Sequence, residues 1–357
     1  MSFLIRTIIL LLLTSVFAHA QTAKYSNEFL NIGVDAAAFG MANAVTASSK
    51  DVNSVYWNPA GLVNLEDWQF SAMHASYFAN IANYDYIAGA KPLDQRSAIG
   101  FSIIRFGVDD ILNTTQLIDA QGNIDYNRIS LFSTADYAFT VSYARRALMS
   151  NFSYGINAKI IRRIIGDFAT AWGFGFDLGV QYSPDKWELG IMARDITTTY
   201  NTWTIDEDQF ATIQNAVPGE NQELPEDTEI TLPKLQIGVA RQFELNRDFG
   251  LKTALNLDMR FAQTNDILNS EAVSATPAFG FVADYTEMVF LRFGVGNFQN
   301  VTQLDGTDNV GFQPNFGVGF KYKGIQIDYA FTDIGDQSVG LYSNVFSLTL
   351  DWSMFRP

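Results

Sequence analysis

The chain has 357 residues, with 38 acidic against 23 basic side chains for a formal net charge of −15, two histidines and no cysteine. That balance excludes a basic nucleic-acid-binding face, and the missing thiols exclude a disulfide framework, a thiolate metal site and a lipid anchor on an N-terminal cysteine. Hydrophobic residues make up 48% and aromatics 14% of the chain, yet beyond its first twenty residues no apolar run is long enough to cross a bilayer as a helix, so any membrane passage must use strands.

Arg6, the apolar run Ile8 to Phe17 and Ala18-His19-Ala20 have the layout of a cleaved secretory signal, which sets residues 1–20 apart from the fold. Residues 21–66 form a second unit, rich in alanine, glycine and serine between Gly33 and Leu65. Small side chains let a backbone pack tightly inside an enclosure. Asn58-Pro59-Ala60-Gly61 is turn chemistry, with Pro59 fixing its own φ and Gly61 free to take a positive one.

These residues carry a resemblance. Gly40-Met41-Ala42, a Ser/Asp-rich link and Tyr56-Trp57-Asn58-Pro59-Ala60-Gly61-Leu62 resemble the N-terminal hatch of FadL-like outer-membrane barrels. The stretch from Asn31-Ile32-Gly33-Val34-Asp35-Ala36 onward is most similar to the PorV/PorQ branch of that superfamily. The resemblance implies a barrel in the outer membrane of a Bacteroidetes-type Gram-negative bacterium, with its loops extracellular. It also implies a role in type IX secretion, in which such a barrel binds cargo C-terminal domains or holds translocon and surface-attachment subunits.

From 67 to 357 the governing signal is alternation with a period of two. In Gly173–Tyr182, Phe174, Phe176, Leu178, Val180 and Tyr182 oppose Gly173, Gly175, Asp177, Gly179 and Gln181, and Tyr137–Arg145 and Leu251–Phe261 repeat the split. About fourteen segments long enough for a tilted spanning strand begin near Trp68, Tyr84, Ser97, Asp136, Asn151, Gly173, Trp187, Lys234, Leu251, Pro277, Val289, Asn315, Ile325 and Asn344. Alternate connections are short, as at Leu93-Asp94-Gln95, Ser183-Pro184-Asp185 and Lys323-Gly324, while those between them are long except for Ala79 to Asn83. Sorting by parity is what short periplasmic turns and longer outer loops produce. The fold class is therefore all-β: a transmembrane antiparallel β-barrel of about fourteen strands with an N-terminal hatch plugging its lumen.

Aromatic residues at segment ends, among them Trp68, Tyr77, Tyr84, Tyr143, Trp172, Tyr182, Trp187, Tyr285, Tyr322 and Trp352, are expected to form interfacial girdles. The final segment, Phe346–Phe355, resembles the C-terminal strand signal of outer-membrane proteins, with Arg356 and Pro357 following its aromatic residue.

Chemistry is sparse. His74 is the one histidine outside the signal, too few for a zinc site and the sole available base for a serine hydrolase. No catalytic residue, metal site or cofactor is assigned, and a lipid-cleaving enzyme is the third reading, one that an outward-facing His74 would exclude. Lys159, Asp177, Arg241, Asp258, Arg260, Arg292, Lys321, Asp328 and Asp351 fall on the inward face and are expected to pair around the hatch. The connection from Ile196 to Pro233 holds Asp206, Glu207, Asp208, Glu220, Glu223, Glu226, Asp227 and Glu229 and no basic residue. Trp203, Ile205 and Phe210 beside Asp206, Glu207 and Asp208 give it the mixed character of a partner-binding surface. The acidic spacing matches no calcium loop. The resulting reading is a non-enzymatic secretion component in contact with outer-membrane lipid. The alternative is a FadL-like channel for hydrophobic small molecules, with a greasy pocket between hatch and wall.

Overall fold

The computed structural model describes residues 26–77, 81–118, 122–148, 151–216, 227–302, 306–332 and 343–355. The expected signal at 1–20 lies outside them. The strands are β1 Gln69–Tyr77, β2 Ala82–Asp94, β3 Ser97–Asn113, β4 Ser130–Arg146, β5 Phe152–Ile165, β6 Ala169–Tyr182, β7 Trp187–Arg194, β8 Thr199–Ile205 and β9 Thr228–Thr231. They continue as β10 Lys234–Glu244, β11 Phe249–Arg260, β12 Leu268–Asn269, β13 Ser274–Tyr285, β14 Val289–Thr302, β15 Asp308–Tyr322, β16 Ile325–Thr332 and β17 Ser343–Asp351.

All seventeen belong to one antiparallel sheet that closes on itself where β1 meets β17, from Gln69↔Asp351 to Ser76↔Asn344. Apart from β8, β9 and the two-residue β12, fourteen strands make up the ring. Closure removes every sheet edge, the condition for burying a sheet in lipid. The outer wall is correspondingly greasy: Phe101, Val141, Phe174, Leu178, Leu291, Phe316 and Ile327 are all exposed on it. Such a continuous apolar belt has no place in water. Among the described residues no helix is long and apolar enough to cross a membrane.

The expected short connections are short, and several use paired left-handed residues, Thr286 with Glu287 and Lys323 with Gly324, to match the twist of the flanking strands. Two connections expected to be long are shortened by their strands: β5 runs to Ile165 and β6 starts at Ala169, and β14 runs to Thr302 and β15 starts at Asp308, past the apolar belt where alternation no longer marks them. Within the 196–233 connection the described residues are likewise more ordered than expected. At Asp195 and Thr198 the chain takes positive φ and bends, then continues as β8, paired with β6 and β9. The last strand stops at Asp351, and Trp352–Phe355 is a 3-10 turn rather than strand.

Three inward and outward assignments are reversed. Tyr77 and Tyr84 are fully buried inside the ring and belong to no girdle. Arg241, expected inside, stands opposite Trp187 on the outer face and lies over the rings of Trp187 and Phe243, each 4.8 Å from its guanidinium carbon. Stacking on aromatics shelters that charge at the short-turn end, as snorkelling requires.

Candidate functional site

Residues 26–65 touch the inner wall on every side. The reason lies in the wall's glycines. A methyl group added at Gly155 would come within 2.7 Å of Pro59, at Gly190 within 2.4 Å of the Thr46 carbonyl, at Gly294 within 2.3 Å of Met41, and at Gly317 within 3.1 Å of Gly40. Gly100 and Gly179 meet Val55 and Asn58 in the same way. Glycine weakens a strand, and within one it commonly marks close approach of another backbone. The small-residue face of the alternating strands is thus the print of the N-terminal segment.

The motif Asn58-Pro59-Ala60-Gly61 sits where the segment turns. Asn58 caps the 3-10 turn Pro59–Asn64, its Oδ1 accepting from Ala60 N, and Pro59 occupies the first position, where a missing N–H costs nothing. The Asn58 amide donates to Thr46 O at 3.1 Å within the segment and to Val180 O at 3.1 Å in β6. Gly61 is not used for positive φ: it lies so close to Ser49 that a Cβ would stand 2.1 Å from the Ser49 carbonyl oxygen.

Chemically the interior is divided. Phe29, Leu30, Val34 and Phe39 of the segment and Tyr77, Tyr84, Tyr86 and Ile104 of β1–β3 belong to one buried cluster. The hydroxyls of Tyr84 and Tyr86 are buried there without a hydrogen-bond partner. Elsewhere the wall is ionic. Lys159 Nζ lies 2.8 Å from Asp177 and 2.7 Å from Asp195, all three buried. Arg194 donates to Tyr56 O at 2.8 Å and to Gln236 at 2.7 Å, and Arg292 donates to Asp328 at 2.6 Å. Asp258 accepts from Asn256 at 2.7 Å, and Asp351 accepts from Gln69. Most of the inward charges are thus matched within the wall, and Arg194 also holds the segment through Tyr56 O.

Asp35 begins the short helix Ala36–Gly40 from a left-handed φ of 74°. Its carboxylate accepts from Ala37 N and, at 2.7 Å, from Ser347 of β17. Burial, then the charges of Asp328 and Asp51, push its pKa from the usual 3.8 up to about 7.

A cavity of about 590 Å³ opens at the short-turn end, between Asp35, Lys50, Asp51 and Trp57 of the segment and Lys252, Arg292 and Lys321 of the wall. At the other end of the segment two spaces are small, about 50 Å³ around Tyr56, Arg194 and Arg260, and about 20 Å³ beside Ile230, Leu232, Pro233 and Phe261, while one of about 300 Å³ opens at the outer rim between Asn113, Arg128, Phe132 and Phe168. The second is greasy but far below the roughly 150 Å³ that accepts benzene.

No protein-family model and no curated protein matches the chain. Solved structures do. The toluene transporter TodX of Pseudomonas putida superposes with a TM-score of 0.53 at 13% identity, over 89% of this chain and 96% of the transporter. The toluene transporter TbuX of Ralstonia pickettii gives 0.51 at 11%, over 89% and 98%, and the monoaromatic hydrocarbon channel CymD gives 0.50 at 10%, over 92% and 97%. This chain has the fold of FadL-like outer-membrane barrels. At such identities the fold is what the barrels share.

The remaining candidate residues of this FadL-like barrel lie at its outer rim, Trp203 and Ile205 on the same face of β8 as Asn201, which bonds to Ser26 and Asn27 of the segment. Trp203 and Ile205 belong to β8, and Asp206 accepts from Gln209 N to cap the helix Glu207–Ala216, which holds Glu207, Asp208 and Phe210. Arg163 covers the Trp203 ring at 5.1 Å and bonds to Glu229 at 3.1 Å, so this region is folded onto the rim. Glu220, Glu223 and Glu226 lie outside the described residues. Among the described residues no group of three or more histidine or acidic side chains is placed to hold a metal. His74 points outward from β1, the orientation expected to exclude the lipid-cleaving reading. It bonds to Asp85 at 2.7 Å and faces Ser76 at 3.3 Å, neighbours that sequence spacing alone did not pair.

Proposed function

We propose that the barrel admits hydrophobic small molecules across the outer membrane, with residues 26–65 as the hatch that gates it. The observation that carries this is the division of the interior. Tyr77, Tyr84, Tyr86 and Ile104 of β1–β3 belong to the buried apolar cluster that the hatch joins, where an apolar solute displaces no ion, whereas Lys50–Glu188 and the Arg194 bond to Tyr56 O tie the hatch to the wall elsewhere, beside the wall's own pairs Lys159–Asp177 and Arg292–Asp328. The two unpartnered tyrosine hydroxyls on that seam are ready donors, each costing about 1–3 kcal/mol while unused. Passage requires the seam to open, because the two spaces lined by the outer side of the hatch are too small for a hydrocarbon ring. The likeness of the fold to toluene and monoaromatic hydrocarbon transporters supports the same reading.

The test is uptake of a labelled monoaromatic hydrocarbon or long-chain fatty acid by Gram-negative cells stripped of their own such channels and supplied with this one. Uptake above the empty-vector level is expected, and its absence with the barrel correctly inserted overturns the reading. A secretion role, with cargo C-terminal domains or attachment subunits docking on Trp203, Ile205 and Phe210, rests on the sequence resemblance alone. Affinity purification from the native membrane would reveal such partners.

A further inference from the structure

On the outer wall, three side chains stand in a row of hydrogen bonds. His74 and Ser76, two apart on β1, share a face, and the sheet register sets Asp85 of β2 directly opposite His74. Asp85 Oδ1 is 2.7 Å from His74 Nδ1, and Ser76 Oγ is 3.3 Å from His74 Nε2. A carboxylate on one ring nitrogen fixes the tautomer that leaves the other free to accept a proton from the serine. On the far side of β1 the register sets Asn344 of β17 opposite Ser76, at the spacing of roughly 4.5–5.5 Å between Cβ atoms of such pairs. Asn344 Oδ1 accepts from Tyr329 Oη at 2.6 Å, which fixes the amide and leaves its N–H donors unspent in that contact.

The surroundings are apolar. Ala72 precedes His74 on the same face, Phe346 stands beside it, and Ile87 and Ile103 follow in the neighbouring strands, opposite Ala72. Ionisable groups on a lipid-facing wall are costly, so a hydrogen-bonded set of them calls for a use. Arg105 lies 3.8 Å from Asp85 and 3.1 Å from Asp109.

We propose that Ser76, His74 and Asp85 form a nucleophile, base and orienting carboxylate that cleave acyl esters of lipids lying against the barrel. Ser76 Oγ attacks the ester carbonyl carbon while its proton passes to His74 Nε2, and the Asn344 amide donates to the resulting oxyanion. Collapse breaks the ester bond, and His74 returns the proton to the departing alcohol, a lysolipid. Water, deprotonated by His74, then attacks the acyl-serine, releasing a fatty acid and restoring Ser76. Ester and water become alcohol and acid, with no further reactant. The outward orientation that excludes a lumen enzyme is the one that meets lipid esters, so the expectation that it rules out lipid cleavage holds only for the interior. This activity goes beyond the transport reading and stands or falls apart from it.

The full-length barrel, folded in detergent micelles, is treated with a fluorophosphonate and mapped by mass spectrometry, and fatty-acid release is followed from phosphatidylethanolamine and phosphatidylglycerol vesicles containing it. An adduct on Ser76 is expected. Release should fall about 10³-fold or more in Ser76→Ala and His74→Gln and about 10²-fold in Asn344→Ala. Asp85, a positioning residue, is tested by Asp85→Asn, which should lower the rate and shift its dependence on pH. Heat-modifiable gel migration establishes that each variant is folded, and hydrocarbon uptake should not change. No adduct on Ser76, or undiminished release by folded Ser76→Ala, overturns the proposal.

Discussion

Asn58, in the segment that fills the ring, donates its side-chain amide to the backbone carbonyl of Val180 in the wall at 3.1 Å, and both groups are hidden from water. The same residue caps the following turn and reaches Thr46 across the segment. Asn58→Ala removes all three contacts and strands a buried carbonyl. The expected cost is about 2–4 kcal/mol, seen as a lower thermal midpoint in detergent with the barrel still inserted. An unchanged midpoint would mean the segment does not add to the stability of the ring.

Gly190 offers a steric version of the test. A Cβ there would meet the Thr46 carbonyl at 2.4 Å and Ala47 Cα at 2.7 Å, both backbone atoms with little room to yield. Gly190→Val should therefore loosen or eject the segment while the strand itself, given valine's preference for β structure, still pairs. Ala72→Val on the lipid-facing side of β1 is the matched control and should be neutral. Protease cleavage within residues 26–65 separates the two.

How much of this was legible beforehand depended on depth in the membrane. Within the apolar belt, alternation is enforced by lipid outside and the segment inside, so Phe174 and Phe176 against Gly175 and Asp177 reads directly as out and in. Past the belt that contrast lapses. β8 and β9 were therefore read as one acidic connection, and the upper ends of β5, β6, β14 and β15 as loop. Tyr77, Tyr84 and Arg241 were misplaced because an amphipathic side chain suits either face, and only the register decides. Register was also missing for Asp85, eleven residues from His74 yet opposite it. The Asn58-Pro59-Ala60-Gly61 turn was visible, but the function of Gly61 as a contact point needed the position of Ser49.

Seating of the segment should depend on pH through Asp35. Its folded pKa of about 7 stands above the ordinary 3.8, chiefly through burial, so the folded state holds the proton more tightly than the unfolded chain. The contribution is complete below pH 4, declines as the pH rises towards 7, and is absent above it. The groups facing Asp35 are Ser347, Asp328, Arg292 and Asp51. Thermal midpoints measured from pH 4 to 8 should fall with rising pH, and Asp35→Asn, which cannot ionise, should flatten the slope. A midpoint that rises across this window contradicts the assignment.

Gating itself can be tested by fastening the hatch, because the chain has no cysteine to interfere. A Cβ built on Gly100 lies 2.5 Å from Val55 Cγ2, so one carbon–carbon bond of about 1.5 Å puts the two Cβ atoms no more than about 4 Å apart, within disulfide range. Val55→Cys with Gly100→Cys should form a bond that ties the helix Ser54–Trp57 to β3, beside the apolar seam. If the hatch moves to let solute by, the oxidised protein should lose most of its uptake, on the order of 10-fold or more, and regain it on reduction. The doubly substituted but reduced barrel controls for the added side chains, and mass spectrometry establishes the cross-link. Transport that continues unchanged with the bond fully formed would leave this part of the hatch fixed during passage, and the opening would then have to lie in the stretch before Val55, whose Phe29, Leu30 and Phe39 share the buried cluster with the tyrosines of β1 and β2.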